Sequence, residues 1–264
     1  MSAASPQATA RKQPGGEPIL SARGLTKEFF GFSAVKNVDL DIREGTIHAL
    51  IGPNGAGKTT VFNLLTKFMM PTAGTITFKG QDITRTAPAE VARLGLVRSF
   101  QISAVFPHLT VLDNVRVALQ RPEGLANQFW RSNKVLRKLD ERALELIEAV
   151  NLSDYADLQA SELSYGRKRA LEIATTLALD PPVMLFDEPM AGMGVEDIGR
   201  ISALIRRIAW GRTVLMVEHN LSVVANLCDY VTVLARGEIL SEGDYQTVSA
   251  DPKVREAYMG TDHE

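Results

Sequence analysis

The stretch Gly52-Pro53-Asn54-Gly55-Ala56-Gly57-Lys58-Thr59-Thr60 carries the spacing GxxxxGK[ST], and its residue types suit a polyphosphate. Glycines let the backbone curl through positive φ, so successive N–H groups aim into one concavity. A helix starting near Lys58 adds its positive N-terminal dipole to that cradle. Lys58 brings a mobile cation for β- and γ-phosphates, and the Thr59 hydroxyl suits a Mg²⁺ ion bridging them. The flanks fit this chemistry. Ile47-His48-Ala49-Leu50-Ile51 reads as a buried strand, and Val61-Phe62-Asn63-Leu64-Leu65 continues as a helix. Gly52 through Thr60 are therefore expected to contact a nucleotide.

Two strand ends supply reactive groups. Val183-Met184-Leu185-Phe186 is an apolar run ending in Asp187-Glu188, the pattern of a buried parallel strand delivering charge at its C-terminal tip. Asp187 suits holding Mg²⁺ through water. Glu188 suits polarising an attacking water as general base. Thr213 to Val217 forms a second apolar run, ending in Glu218-His219. His219 at such a tip can hydrogen-bond a γ-phosphate and the attacking water, whereas a lone histidine is more often structural.

Other candidates are less specific. Gln101 closes Leu96-Val97-Arg98-Ser99-Phe100-Gln101. Its amide oxygen is a weak Mg²⁺ ligand that can let go, which suits a γ-phosphate sensor; a surface glutamine is the alternative. In Lys27-Glu28-Phe29-Phe30-Gly31, one flat ring under adenine would give affinity with little base selectivity. Phe30 is the candidate platform, with core packing as its alternative, and Phe29 is read as core. Ser164 of Glu162-Leu163-Ser164-Tyr165-Gly166 stands where a helix N-cap belongs. Its hydroxyl, the Gly166 N–H and a helix N-terminus make a second anion site, distinct from the first.

These groups need elements to position them. Residues 1–17, rich in Ala, Ser, Gln, Pro and Gly, read as a disordered tail. Val38, Leu40 and Ile42 alternate with Asn37, Asp39 and Asp41, the period of a half-buried strand. Glu44-Gly45 turns into the cradle strand. Pro71-Thr72-Ala73-Gly74 reads as a turn before a short strand, Thr75 to Phe78. Pro107 to Asn151 reads as mostly helical. Leu136, Leu139, Ala143, Leu146, Ile147 and Val150 form its core stripe, and Lys134, Arg137, Lys138 and Arg142 a solvated face. The helix after Ser164 shows Ala170, Ile173, Ala174, Leu177 and Ala178 on one face, and Asp180-Pro181-Pro182 ends it.

Composition narrows the class. The chain has 264 residues, 45% hydrophobic and 23% charged, with net charge −2. That balance gives no basic surface for nucleic acid. Cys228 is the one cysteine, which fits a reducing compartment and a small buried apolar role. No apolar run approaches the ~20 residues that span a bilayer. The expectation is a cytosolic chain docking on a membrane protein.

Taken in order, the motifs resemble those of the ATPase subunits of ATP-binding-cassette transporters: Phe30, the P-loop, Gln101, Leu163-Ser164-Tyr165-Gly166-Arg167, Asp187-Glu188 and His219. Val97-Arg98-Ser99-Phe100-Gln101, Leu171-Glu172-Ile173-Ala174, Val217-Glu218-His219-Asn220 and Glu256-Ala257-Tyr258-Met259-Gly260 bring it nearer the longer ATPase subunit of branched-chain amino-acid importers. Arg167 stands where that family's signature usually has Gln. Ala191-Gly192-Met193-Gly194 replaces a loop that in many relatives ends in Asp or Asn.

The resemblance implies an α/β fold: a P-loop NTPase core, an antiparallel β layer and an inserted helical subdomain at about 100–180, all within 18–264. It implies ATP and Mg²⁺, with catalytic Glu188, His219 and Lys58. Phe30, Gly52 to Thr60, Gln101, Ser164 and Gly166 would contact nucleotide, and Thr59, Gln101 and Asp187 metal. It implies as partners a second ATPase subunit, in a homo- or heterodimer, two permease subunits, and indirectly a solute-binding protein, at the cytoplasmic face of the inner membrane. Phe100, Ile102, Val105 and Phe106 are candidates for the groove that receives a permease helix; core packing is their alternative. An exporter ATPase and a soluble ATPase of the same superfamily stay open. So does the solute: branched-chain or other amino acids, urea or amides, or aromatic acids.

Overall fold

The computed structural model describes residues 17–99, 105–122 and 136–259. Among the described residues two sheets carry the fold. In the first, β1 (Pro18–Phe29) and β2 (Phe32–Arg43) form a long hairpin. β4 (Ala73–Phe78) adds to the other edge of β1, and β5 (Gln81–Asp82) follows β4, all antiparallel. The alternation expected for β2 holds: Val38, Leu40 and Ile42 are buried, and Asn37, Asp39 and Asp41 are exposed.

The second sheet is mainly parallel. Its strands are β3 (Ile47–Ile51), β6 (Leu96–Ser99), β7 (Val183–Asp187), β8 (Thr213–Val217), β9 (Tyr230–Ala235) and β10 (Glu238–Gly243), in the order β10-β9-β3-β8-β7-β6. β10 is its antiparallel edge. β3, β7 and β8 are buried at every position, as a sheet covered on both faces requires. Successive side chains serve two cores. Leu185, Leu215 and Val217 pack with Val61, Phe62, Leu64 and Leu65 of α1 (Lys58–Leu65) and with the antiparallel layer. Met184, Phe186, Val214 and Met216 face the opposite core. Each fully buried Leu or Phe contributes about 1.5–3 kcal/mol, so α1 is clamped from both sides.

α2 (Pro88–Leu94) leads into β6. That opposite core is covered by α3 (Val111–Leu119), α4 (Asp140–Ala149), α5 (Tyr165–Leu177), α6 (Val195–Ile208) and α7 (Leu221–Leu227). The expected stripe of Leu139, Ala143, Leu146, Ile147 and Val150 is buried, with Lys138 and Arg142 exposed. Lys134 and the side chains of Leu136 and Arg137 fall outside the described residues. Thr110 caps α3 by accepting from the Asp113 N–H at 3.0 Å. Arg116 then bridges Asp113 and Asp140, at 2.8 and 2.7 Å, and so ties α3 to α4. α8 (Tyr245–Ala250) and α9 (Pro252–Met259) close the C-terminal side.

Three expectations need correction. β4 begins at Ala73, inside the expected turn. Gly74 is a close-approach residue of the ladder: φ is +92° and a Cβ there would meet the Gly24 carbonyl oxygen at 2.4 Å, which only glycine permits. Phe29 is half-buried rather than core, with the Lys27 ammonium 5.2 Å from its ring centre. Cys228 is likewise half-buried, at the edge of the core, with its Sγ 3.6 Å from Met216 Sδ.

Candidate functional site

The cradle sits at the C-terminal end of β3 and opens α1. Gly52, Gly55 and Gly57 have φ of 149°, 76° and 102°. At Gly52 a Cβ would lie 2.1 Å from the Leu234 carbonyl oxygen, and at Gly57 2.6 Å from that of Ala34. Any side chain there would push the loop off β9 or β2. The Gly237 N–H also donates to the Ala56 carbonyl at 3.0 Å, pinning the loop to the β9–β10 turn. Pro53, Asn54 and Gly55 form the outer rim. Thr59 is exposed and Thr60 half-buried in the first turn of α1. Lys58 is buried, and its ammonium donates to the Gly52 and Pro53 carbonyls at 2.7 and 2.9 Å. Burial lowers its pKa, while the negative charges of Glu188 and Asp187 pull the other way.

The two acidic strand ends meet beside it. β7 and β8 pair in register with Asp187 opposite Val217, which brings their tips together. Glu188 turns out of β7 in the left-handed region, φ 47°. A non-glycine residue there stores local strain, which the Glu188 N–H bond to the Val217 carbonyl, 3.0 Å, helps to hold. The turn directs the carboxylate to His219 Nε2 at 2.8 Å. The expected base and the expected histidine are thus one hydrogen-bonded pair.

Asp187 is 1% exposed, and its carboxylate pairs with Arg98 of β6. Arg98 also donates to Asn63 of α1 at 2.6 Å and lies over the Phe62 and Phe68 rings. Arg98 carries no role in the sequence reading, because its partner is a strand away in the sheet and many residues away in the chain. Glu218 was also missed. It is 3% exposed, and accepts from the N–H groups of Met190, His219 and Asn220 at 3.1, 3.1 and 3.4 Å. Tyr258 of α9 is a third. Its hydroxyl is hydrogen-bonded to the Gly52 backbone, and burial pushes its pKa up to about 12. For Glu218 the signal was its place beside a strand-end His; Arg98 and Tyr258 stood only within stretches that carry the resemblance.

The remaining candidates lie elsewhere. Phe30 and Gly31 form a two-residue hairpin turn with φ of 48° and 86°, the turn with positive φ at both positions that matches strand twist. It leaves Phe30 fully solvent-exposed, so core packing is excluded. Phe32, also exposed, is a neighbouring aromatic the sequence did not single out. Ser164 has the extended backbone of an N-cap, φ −61° and ψ 162°, yet its side chain makes no capping bond. Gly166 lies against α6: a Cβ there would meet the Asp197 carboxylate at 2.7 to 2.9 Å. Arg167 stacks on Tyr155, 4.1 Å from the ring centre. The adjoining cleft of about 460 Å³ is lined by Tyr155, Asp197, Arg200 and Leu204 and by no P-loop residue. Gln101, Phe100 and Ile102 lie outside the described residues. Val105 packs on the core, and Phe106 is 53% exposed.

With this geometry in hand, comparison with known proteins gives a consistent result. The family described as "ABC transporter" matches residues 35–191, and one described as "Branched-chain amino acid ATP-binding cassette transporter" matches residues 238–264. The chain is 38% identical over 251 residues to the high-affinity branched-chain amino acid transport ATP-binding protein LivG of Salmonella typhimurium, covering 92% of this chain and 98% of that one. Among solved structures it is similar to the ADP conformation of MJ1267, an ATP-binding cassette of an ABC transporter, with TM-score 0.80, 31% identity and coverage of 92% and 99%. A dimeric post-hydrolysis cassette, MJ0796 bound to ADP and Pi, matches with TM-score 0.70 at 27% identity, covering 86% and 98%. The chain belongs to the ABC transporter family and is one of its ATPases.

Proposed function

We propose that this ATPase powers a membrane importer of branched-chain amino acids or a related small solute. It works as one of two cassettes on two permease subunits, at the cytoplasmic face of the membrane, with a solute-binding protein delivering the solute. The observation that carries the chemistry is the Glu188–His219 pair, 2.8 Å apart, beside a buried Lys58. For the solute, the support is the C-terminal match at residues 238–264 and the printed name of the Salmonella relative.

Phe30 stacks the adenine. Backbone N–H groups of the loop from Gly52 to Thr60, Pro53 having none, cradle the phosphates, and Lys58 turns its remaining N–H toward the γ-phosphate. Glu188 accepts the proton of the attacking water, and His219 orients that water and the γ-phosphate. The donor set fits Mg²⁺, a hard cation that keeps several waters and takes few protein oxygens: the exposed Thr59 hydroxyl and the Asp187 carboxylate would hold it, with the Gln101 amide as a further ligand. When bound, the ion supplies charge neutralisation on the phosphates. Arg98 pairs with Asp187 and offsets part of its charge.

Ser164 and Gly166 serve the nucleotide of the other cassette. They open α5, beside a cleft that no P-loop residue lines, within a helical subdomain spanning about 100–180. A groove of about 330 Å³ between α2, β6 and α5, lined by Phe68, Ala92, Arg98 and Thr175, receives a permease helix. The test is reconstitution in liposomes with the neighbouring permeases and binding protein. ATP-dependent leucine uptake that stops with Glu188→Gln is expected. Uptake of a urea- or aromatic-acid-type solute instead would replace the substrate and keep the ATPase role. Turnover that ignores the permeases would remove the transport role.

A further inference from the structure

Glu218 is a buried carboxylate to which the chemistry above assigns nothing. It sits at the tip of β8, one residue before His219, and is 3% exposed. Its two oxygens serve different loops. Oε1 accepts the Met190 N–H at 3.1 Å, in the loop that carries Glu188 and Pro189. Oε2 accepts the N–H groups of His219 and Asn220 at 3.1 and 3.4 Å. Burial pushes its pKa up, and these three N–H donors act against that shift, as donors to a carboxylate must. A carboxylate buried near Asp187 and Glu188 costs free energy unless its lone pairs are filled. Here they are filled by the backbone of two loops. Asn220 extends the tie, since its side chain caps α7 by accepting from Ser222 and Val223 N–H.

We propose that Glu218 is the positioning residue of the hydrolytic pair: one carboxylate clamps the Glu188 loop to the His219 loop and so sets the 2.8 Å contact between them. The same clamp reaches the loop Met190–Gly194, which runs into α6 and Asp197, the residue seated against Gly166. This inference rests on the hydrolytic roles proposed above for Glu188 and His219.

Glu218→Gln is nearly isosteric but has one acceptor oxygen and an NH2 that faces an N–H. It can hold one loop and must release the other. Glu218→Asp keeps the charge and loses the reach. The measurements are ATP turnover, affinity for a fluorescent ATP analogue and thermal unfolding of the full chain. Both variants are expected to lower kcat about 10- to 100-fold, with nucleotide affinity within about threefold, because a displaced base loses general-base catalysis of up to about 10²–10⁴-fold. The deciding step is a double-mutant cycle by single turnover with labelled ATP. In the Glu188→Gln background, adding Glu218→Gln should cost less than about threefold, since groups acting as one unit are non-additive. A full multiplicative loss there, or affinity falling in step with kcat, overturns the clamp and leaves Glu218 a fold-stabilising residue. If Glu218→Gln does not fold, the cycle is run with Glu218→Asp on the same criteria. Wild-type protein without ATP turnover removes the hydrolytic roles and the clamp together; wild-type turnover with an additive cycle removes the clamp alone.

Discussion

The helix starts of α1 at Lys58 and α5 at Ser164 both suit an anion, and they stand in different surroundings. The start of α1 is closed by its own chain. Gly57 enters it through the left-handed region, Lys58 bonds two loop carbonyls, and the tips of β7 and β8 stand alongside. The start of α5 is open. Ser164 holds a cap backbone without a capping bond, and Tyr165 beside it is 57% exposed. Neither start carries a side-chain capping bond, so both keep N–H donors for an anion, and what differs is what stands around them. On the reading proposed above, the enclosed start is the cradle for the chain's own nucleotide and the open one serves the nucleotide of a second cassette.

The largest effect is expected at the closed end. Glu188→Gln keeps the hydrogen bond to His219 and removes the base, so turnover should fall about 10²–10⁴-fold with nucleotide affinity kept. Turnover and binding measured on one preparation check this, and near-normal hydrolysis would shift the base to another group.

The open end is tested by mixing. Ser164→Arg fills the half-site and should lower turnover by roughly 10²-fold, the scale for losing transition-state donors. Lys58→Ala damages the cradle and should be equally impaired. Combined, they should recover up to roughly a quarter of wild-type turnover, since about half the dimers are mixed and each holds one whole site. If the cassette natively pairs with a different one, the same mixture is run in that complex. No recovery in any mixture, with wild-type turnover per chain independent of concentration, would mean that both helix starts serve one nucleotide.

Phe30→Ala sharpens the comparison at the rim of the closed end. Loss of one base stack is worth about 1–3 kcal/mol, so ATP affinity should drop roughly 5- to 150-fold while saturated turnover holds. Equal affinity for wild type and variant, measured by fluorescent nucleotide titration, would move the base to Phe32 or off the hairpin.

The smallest effect concerns what supports the closed end from below. His48 in β3 is 1% exposed and bonded to Thr232 at 2.8 Å, and Thr232 donates to Glu242 at 2.7 Å. Burial, with Arg43 adding to it, lowers the His48 pKa to about 3. Its neutral form is favoured on folding, so its contribution is fully present above the unfolded value near 6.5 and is lost as pH falls toward 3. The loss is up to about 1.4 kcal/mol per pH unit. His48→Gln should flatten the pH dependence of urea unfolding between pH 6.5 and 4 relative to wild type. Parallel curves would mean that His48 is protonated without cost.

The sequence alone determined the cradle, the strand tips and the helix start at Ser164, because each is a local pattern. Glycine spacing fixes a backbone path, an unbroken apolar run fixes a doubly covered strand, and Ser before an amphipathic stripe marks where a helix starts, though Ser164 makes no capping bond. It left Phe30 between platform and core, since exposure is a property of the hairpin's turn. Arg98 against Asp187, Tyr258 against Gly52 and Glu218 between two loops were decided only by tertiary structure. Strand order brings residues from distant parts of the chain into contact, and no local periodicity encodes which side chain a buried charge will meet. For the same reason the Gly74 approach to Gly24 read as a turn in sequence. A glycine required by a neighbouring strand looks no different from one required by a bend, until the ladder that crowds it has formed.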